Sequence, residues 1–96
     1  MATGDITAAA VALTDADYVL LADGATVATL GIQLNYSGGP IRVAFAAAKP
    51  AVDVTTYIVL GGSTPPFREV LSAGTKVWGL PLFAGNAVAR VYKVER

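Results

Sequence analysis

The chain has 96 residues, of which 54% are apolar and 15% charged, and it contains neither cysteine nor histidine. This length fits one domain, and the formal net charge of zero argues against a general nucleic-acid binder, whose affinity depends on neutralising phosphates. The two missing residue types exclude disulfides, Cys-type zinc sites, thiol nucleophiles and Ser-His-Asp catalysis. A domain this small hides only about 60–65% of the surface that its unfolded chain exposes, so we expect it to cover its surplus apolar surface by assembling with other copies.

The first predicted strand, Ile6–Leu13, is rich in alanine. A helix is the competing interpretation because alanine has the highest helix propensity, but so short a run does not hold a helix without packing. We therefore expect residues 1–12 to form an extended arm or an edge strand. No positively charged region precedes this stretch, and no run approaches the roughly 20 apolar residues of a spanning helix, so neither a signal peptide nor a membrane partner is expected.

The rest of the chain alternates short blocks of Val, Ile, Thr, Tyr and Phe with Gly, Pro, Asn and Ser, a pattern typical of antiparallel sandwiches. The further predicted strands are Tyr18–Leu21, Thr26–Tyr36, Ile41–Ala46, Tyr57–Leu60, Phe67–Leu71, Lys76–Leu82 and Ala87–Val94. The predicted fold class is all-β: a single antiparallel β-sandwich of jelly-roll type over residues 1–96, with about eight short strands.

Two turns are predicted to be hairpins. Residues 35–40 contain two glycines, which accept positive φ, and end in Pro40, while residues 84–86 are Ala-Gly-Asn. After the first turn, the residues expected to face the core by alternation are Ile41, Val43 and Phe45. The segment of residues 61–66, with two adjacent prolines, is predicted to connect two sheets at the surface, where it could carry a contact.

The charges are unevenly distributed along the chain. Residues 1–41 hold four acids and no base, whereas residues 42–96 hold seven bases against three acids, a net charge of +4. Opposite-sign surfaces meeting within the fold or between copies would explain this asymmetry, and so would scattered solvated charges.

Few residues suggest chemistry. Asp15 and Asp17 are two residues apart and could act as an acid/base pair or bind Ca²⁺, but the spacing of a calcium loop is absent and a polar turn is the favoured interpretation. The glycine pairs and Gly31 lack the spacing of a phosphate-binding loop and are predicted to be turn or bulge glycines. An enzyme would need a cleft that gathers distant acids such as Asp23, Asp53 and Glu69, so no enzyme, metal or cofactor is predicted.

The eight aromatic residues are spread at about one per strand, which is typical of a sandwich core. If exposed, Tyr36 and Trp78 are the candidates for stacking on sugars or bases.

Two segments resemble a pattern of small virion structural proteins of tailed bacteriophages. Residues 38–51 begin with a Gly-Pro turn that precedes a Val-containing strand and an Ala/Pro loop, and residues 13–24, Leu-Thr-Asp-Ala-Asp-Tyr-Val-Leu-Leu-Ala-Asp-Gly, fit the same pattern. The resemblance implies a capsid cement (decoration) protein or a head-fibre component. Such a protein is made in the host cytoplasm, is usually trimeric, and stabilises the shell by clamping the major capsid protein at the virion surface.

Within that interpretation, the predicted partners are the major capsid protein and further copies of the chain, and the predicted contact segments are residues 6–13 and 61–67. The candidate partner-binding residues are Ile6, Ala8, Val11, Leu13, Tyr36, Pro65, Pro66 and Phe67. The alternative is a receptor- or carbohydrate-binding module of a phage fibre or tail tip.

Overall fold

The computed structural model describes residues 4–34, 39–61, 67–83 and 85–96, and these residues form an all-β domain. The strands are β1 (Ile6–Leu13), β2 (Val19–Asp23), β3 (Val27–Leu34), β4 (Ile41–Ala46), β5 (Ile58–Leu60), β6 (Phe67–Val70), β7 (Lys76–Pro81) and β8 (Ala87–Glu95). The eight predicted strands are confirmed, with ends that shift by one or two residues. Among the described residues, no helix is long and apolar enough to cross a membrane.

The strands form two antiparallel four-stranded sheets. Sheet A has the order β1-β8-β3-β6 and sheet B the order β2-β7-β4-β5. The chain therefore pairs its first strand with its last, its second with its seventh, its third with its sixth and its fourth with its fifth, as if one long hairpin had been rolled up. This is the strand order of a jelly roll, and it confirms the predicted fold class.

Both predicted hairpins are wrong. β3 lies in sheet A and β4 in sheet B, so residues 35–40 connect the two sheets; residues 82–86 do the same between β7 in sheet B and β8 in sheet A. Glycine, proline and asparagine end a strand by their backbone preferences, but they do not decide whether the next strand lies beside it or opposite it. In the described part of the chain, β4 and β5 are the pair that is both consecutive and hydrogen-bonded.

The core lies between the sheets and is aliphatic. The largest side chains that are almost completely buried are Leu13, Leu21, Leu30, Ile32, Ile41, Val43 and Val77, and among the described residues Tyr18 is the buried one whose side chain carries a polar atom. The predicted inward orientation of Ile41 and Val43 is confirmed. Phe45 points to the same side, since it pairs with the buried Val77, but its side chain is 41% exposed. Its ring lies beside the ring of Phe67, with 6.3 Å between the ring centroids. Phe67 belongs to β6, the short edge strand of sheet A.

One end of the sandwich is closed by two docked loops. The Gly24 N–H in the β2–β3 turn donates to the Thr75 carbonyl oxygen at 2.8 Å, and the Gly24 carbonyl oxygen accepts from Arg96 Nε at 2.9 Å. Arg96 also donates to the Leu71 carbonyl oxygen. The β2–β3 turn, the loop of residues 71–75 and the end of β8 are therefore held as one unit.

Candidate functional site

The outer face of sheet B is covered in part by the chain itself, while Leu20 and Val59 on the same face stay 43% and 48% exposed. Residues 47–57, which connect β4 to β5, lie beside it and contribute to a second apolar cluster outside the main core. Its buried members are Tyr18, Ala44 and Leu80, against which Val54, Tyr57 and Trp78 pack. We call this surface the covered face.

Arg42 and Trp78 hold that connection in place. Arg42 donates from Nη1 to the Val52 carbonyl oxygen at 3.3 Å and from Nη2 to the Leu82 carbonyl oxygen at 2.9 Å, and its guanidinium lies 5.2 Å from the centroid of the Tyr57 ring. Trp78 donates from Nε1 to the Ala46 carbonyl oxygen at 3.0 Å and is half-buried. Trp78 therefore anchors the loop, which removes the exposed indole face that stacking on a sugar or base requires. Tyr36, the other stacking candidate, lies outside the described residues.

The covered face also contains one perturbed titratable group. Tyr18 is 3% exposed, and burial raises the pKa of its hydroxyl above the ordinary value of 10.0, while the nearby Arg42 guanidinium acts in the opposite direction. Neither the hydroxyl of Tyr18 nor Nε of Arg42 has a hydrogen-bond partner among the described residues. Burial of these two polar atoms without a partner lowers the free energy of unfolding, which the packing of the cluster against the sheet offsets.

The Tyr18→Phe variant should therefore be at least as stable as the wild type at neutral pH, because it removes a buried hydroxyl without a partner. The folded state keeps the Tyr18 proton to a higher pH than the unfolded chain does. The stability that results from this raised pKa is therefore complete below pH 10 and is lost as the pH rises further. Urea unfolding at about pH 8 and about pH 11 measures this fall, which should be smaller in the variant. Tyr92→Phe on the other sheet is the control; an equal reduction in both variants would contradict the assignment to Tyr18.

The outer face of sheet A, in contrast, is not covered by any of the described segments, and we call it the open face. Register and burial assign its outward residues as Ile6, Ala8, Ala10, Ala12, Thr29, Gly31, Gln33, Arg68, Val70, Val88, Arg90, Tyr92 and Val94. Exposure is 70% for Ile6, 76% for Val70 and 38% for Val88, and the three alanines are exposed as well. The open face is thus largely apolar, with two arginines and, in its described residues, no acid.

A shallow depression of about 390 Å³ lies at the β1 side of the open face. Its lining residues are Ala8, Ala9, Ala10, Gln33, Arg90, Val91 and Tyr92. The Tyr92 ring lies across Gly31 on the neighbouring strand, so closely that a Cβ at Gly31 would be 1.9 Å from the ring. The absence of a side chain at Gly31 therefore lets the ring lie down on the sheet beside the depression.

The structure places the candidate partner-binding residues in different environments. Ile6 and Ala8 are exposed on the open face, whereas Val11 is half-buried and packs against the core. The prediction for Leu13 is wrong: it is 0% exposed, because its position in the alternation of β1 turns it between the sheets. Phe67 is half-buried and also packs against the core. Tyr36, Pro65 and Pro66 lie outside the described residues.

The acidic residues do not gather into a cleft. Asp15 accepts a hydrogen bond from the Gly85 N–H at 2.8 Å, and Asp17 forms an exposed ion pair with Lys49 at 2.8 Å, so each side chain makes a separate local contact. Asp23 accepts from the Ala25 N–H at 2.9 Å, as in a polar turn. No group of three or more acids that could hold a metal ion occurs in the described ranges.

Sequence reasoning missed the polar residues beside the depression, Gln33, Arg90 and Tyr92. It also assigned Gly31 wrongly, because Gly31 is buried in the middle of β3, paired with Tyr92 on one side and Arg68 on the other, with no bulge at that position. A glycine inside an otherwise apolar strand also marks a close approach by a neighbouring side chain. That signal, together with the alternation Arg90-Val91-Tyr92, could have located this part of the open face.

Comparison with known proteins adds no relative: no family model matches the chain, and no match was found among curated proteins or solved structures.

Proposed function

We propose that this chain is a structural virion protein, a capsid cement protein that binds the major capsid protein at the virion surface and stabilises the shell. The observation that carries the proposal is the open face, on which Ile6, Val70, Val88 and the alanines of β1 are exposed and no described segment covers them. A described segment does lie over part of the other sheet. The jelly roll is compatible with this function without deciding it, since the same fold serves capsid proteins, lectins and enzymes.

The composition of the open face supports a protein partner. Its aliphatic and alanine side chains offer apolar surface, and Arg68 on the edge strand β6 and Arg90 on the inner strand β8 add positive charge to it. Apolar surface that also carries arginine is typical of a protein contact, and the two positive charges favour an acidic or neutral surface opposite. A weak contact of this kind holds firmly when copies joined in one oligomer bind the shell at several places, because linked binding events reinforce one another.

The proposal is tested by the Val70→Asp variant, which replaces the most exposed aliphatic side chain of the open face by a carboxylate. Val52→Asp is the matched control: Val52 is also exposed, at 42%, but lies in the connection on the covered face. Copies bound per purified shell, counted by quantitative mass spectrometry, should fall at least about tenfold for Val70→Asp and stay unchanged for Val52→Asp. Equal binding by both variants, or no binding by the wild type, would overturn the proposal.

The second candidate function is carbohydrate or receptor binding by a fibre or tail-tip module. The depression on the open face favours it, since an aromatic ring beside amide and guanidinium groups can stack on a sugar and bind its hydroxyls. A glycan array distinguishes the two functions. Binding that is lost in Tyr92→Ala and kept in Tyr57→Ala would support the module, and an array without signal would leave the cement protein as the proposal.

The cement function expects several identical copies, and the virion resemblance expects three. The number of copies stays a prediction, and a light-scattering measurement of the molar mass determines it.

A further inference from the structure

The edge of sheet A at β1 differs from the three other sheet edges. β5 has three residues, β6 has four and contains both Arg68 and Glu69, and β2 has a register shift between Leu20 and Ala22. Short length, charge and irregularity are the usual means by which an edge strand avoids pairing with another chain. β1 has none of them: it is eight residues long, uncharged, without proline, and in unbroken register with β8.

The hydrogen bonds at the end of β1 show which backbone groups face away from the sheet. The Glu95 N–H donates to the carbonyl oxygen of Asp5, the residue opposite it, at 2.8 Å, while the Glu95 carbonyl oxygen accepts from the Gly4 N–H, so one hydrogen bond joins Asp5 and Glu95 across the ladder. Because such pairs alternate in an antiparallel ladder, the odd-numbered residues of β1 bond to β8. The even-numbered residues point their N–H and C=O groups to the open edge; they are Ile6, Ala8, Ala10 and Ala12.

We infer that two copies of this chain pair antiparallel through β1, with Ile6 of each copy opposite Ala12 of the other and Ala8 opposite Ala10. In this register every outward N–H and C=O of these residues has a partner. The two sheets A then join into one eight-stranded sheet across a two-fold axis at Ala9, and the two open faces become continuous. This assembly stands apart from the capsid proposal and does not depend on it.

Side-chain size and charge favour a second copy as the occupant of the edge. The central residues are alanines, so the two backbones can approach without obstruction. Ile6 would lie over Ala12 of the second copy and next to its Val88, which covers two of the exposed aliphatic side chains of each chain. No charged residue lies within β1, and the net charge of zero leaves no overall repulsion between copies. The pairing is self-complementary, as a two-fold interface requires.

The absence of cysteine from the chain permits a clean test by single-cysteine variants. Ala9→Cys places its two sulfurs at the axis, where the residues form a non-hydrogen-bonded pair with Cα atoms about 4.5 Å apart, within the range of a disulfide. Ala12→Cys is the matched control, an exposed alanine of the same strand whose two copies would be about 20 Å apart. Under mild oxidation Ala9→Cys should form linked dimers about 100-fold faster than Ala12→Cys.

Ala10→Pro is the second test, because it removes an N–H that points to the open edge and leaves the bonds between β1 and β8 in place. Light scattering should give the mass of a dimer for the wild type and of a monomer for Ala10→Pro, with circular dichroism confirming an intact fold. Equal cross-linking of the two cysteine variants, a wild-type monomer, or a trimer that Ala10→Pro leaves unchanged would overturn the pairing. A dimer formed by a protein that binds no shell would support the pairing while the capsid proposal fails.

Discussion

Replacement of Gly24 by alanine is expected to destabilise the domain by about 3 kcal/mol or to prevent its folding. A Cβ at this position would lie 2.0 Å from the Ser72 carbonyl oxygen and 2.6 Å from that of Thr75. Both obstacles are backbone atoms, so no rotation of a side chain can make room. The β2–β3 turn would have to move away from the loop of residues 71–75 and lose the bonds that Gly24 makes to Thr75 and Arg96.

Gly74→Ala is the control for that change. Gly74 lies in the same loop, but a Cβ there meets no atom within 4 Å, and its φ is outside the left-handed region. We expect a change of less than about 0.5 kcal/mol, or a slight stabilisation through the reduced freedom of the unfolded chain. Urea unfolding measures the free energy of unfolding of both variants and so tests whether the Cβ clash at Gly24 is the cause. Similar free energies of unfolding for the two would mean that the β2–β3 turn does not dock as closely as described.

The contact between these loops could not have been predicted from the sequence. Gly24 follows Asp23 in a stretch that is typical of a turn, and the local pattern locates the turn correctly. The pattern holds no information on Ser72 and Thr75, which approach Gly24 only because β2 and β7 pair in sheet B. A single sequence does not distinguish a glycine that a turn conformation requires from one that makes room for the close approach of another segment.

The sequence does contain the positions of the strands. Alternation and β-branched residues identify β4 and β8, and the segments between strands are rich in Gly, Pro and Asn. The pairing of strands is not contained in such local patterns. Residues 35–40 and 84–86 carry ordinary hairpin signals and nevertheless connect opposite sheets, because the nested pairing of the jelly roll joins strands that are far apart in the chain.

The sequence predicts the orientation of candidate residues only in part, and β1 shows why. Its alanines fit either face of a sheet, so a run such as Ala8-Ala9-Ala10 does not reveal which residues point to the core. The whole segment was therefore predicted to be a contact. The pairing of Leu13 with the buried Ala87 and of Ile6 with the half-buried Val94 divides the strand into inward and outward residues. This division comes from β8, 74 or more residues later in the chain.

Replacement of Leu13 by alanine tests the assignment of inward and outward residues in β1. Leu13 is 0% exposed, and its Cδ1 lies 3.3 Å from the position of a Cβ on Gly79 in sheet B, so it fills the space between the sheets. Loss of these methyl groups leaves a cavity, and the expected decrease in the unfolding free energy is about 2–5 kcal/mol. Ile6→Ala is the control, because Ile6 belongs to the same strand and is 70% exposed. Its expected cost is below about 0.5 kcal/mol.

Both variants are best compared by urea unfolding at low protein concentration, where pairing of copies does not add to the stability of the folded state. A large effect of Leu13→Ala beside a small effect of Ile6→Ala supports the assignment of inward and outward residues. The reverse order would mean that β1 is paired with β8 one residue out of the described register, since such a slip turns every side chain of a strand to the opposite face. The outward backbone groups would then belong to the odd-numbered residues of β1, and Ala9→Cys would no longer lie in a non-hydrogen-bonded pair at the axis between two copies.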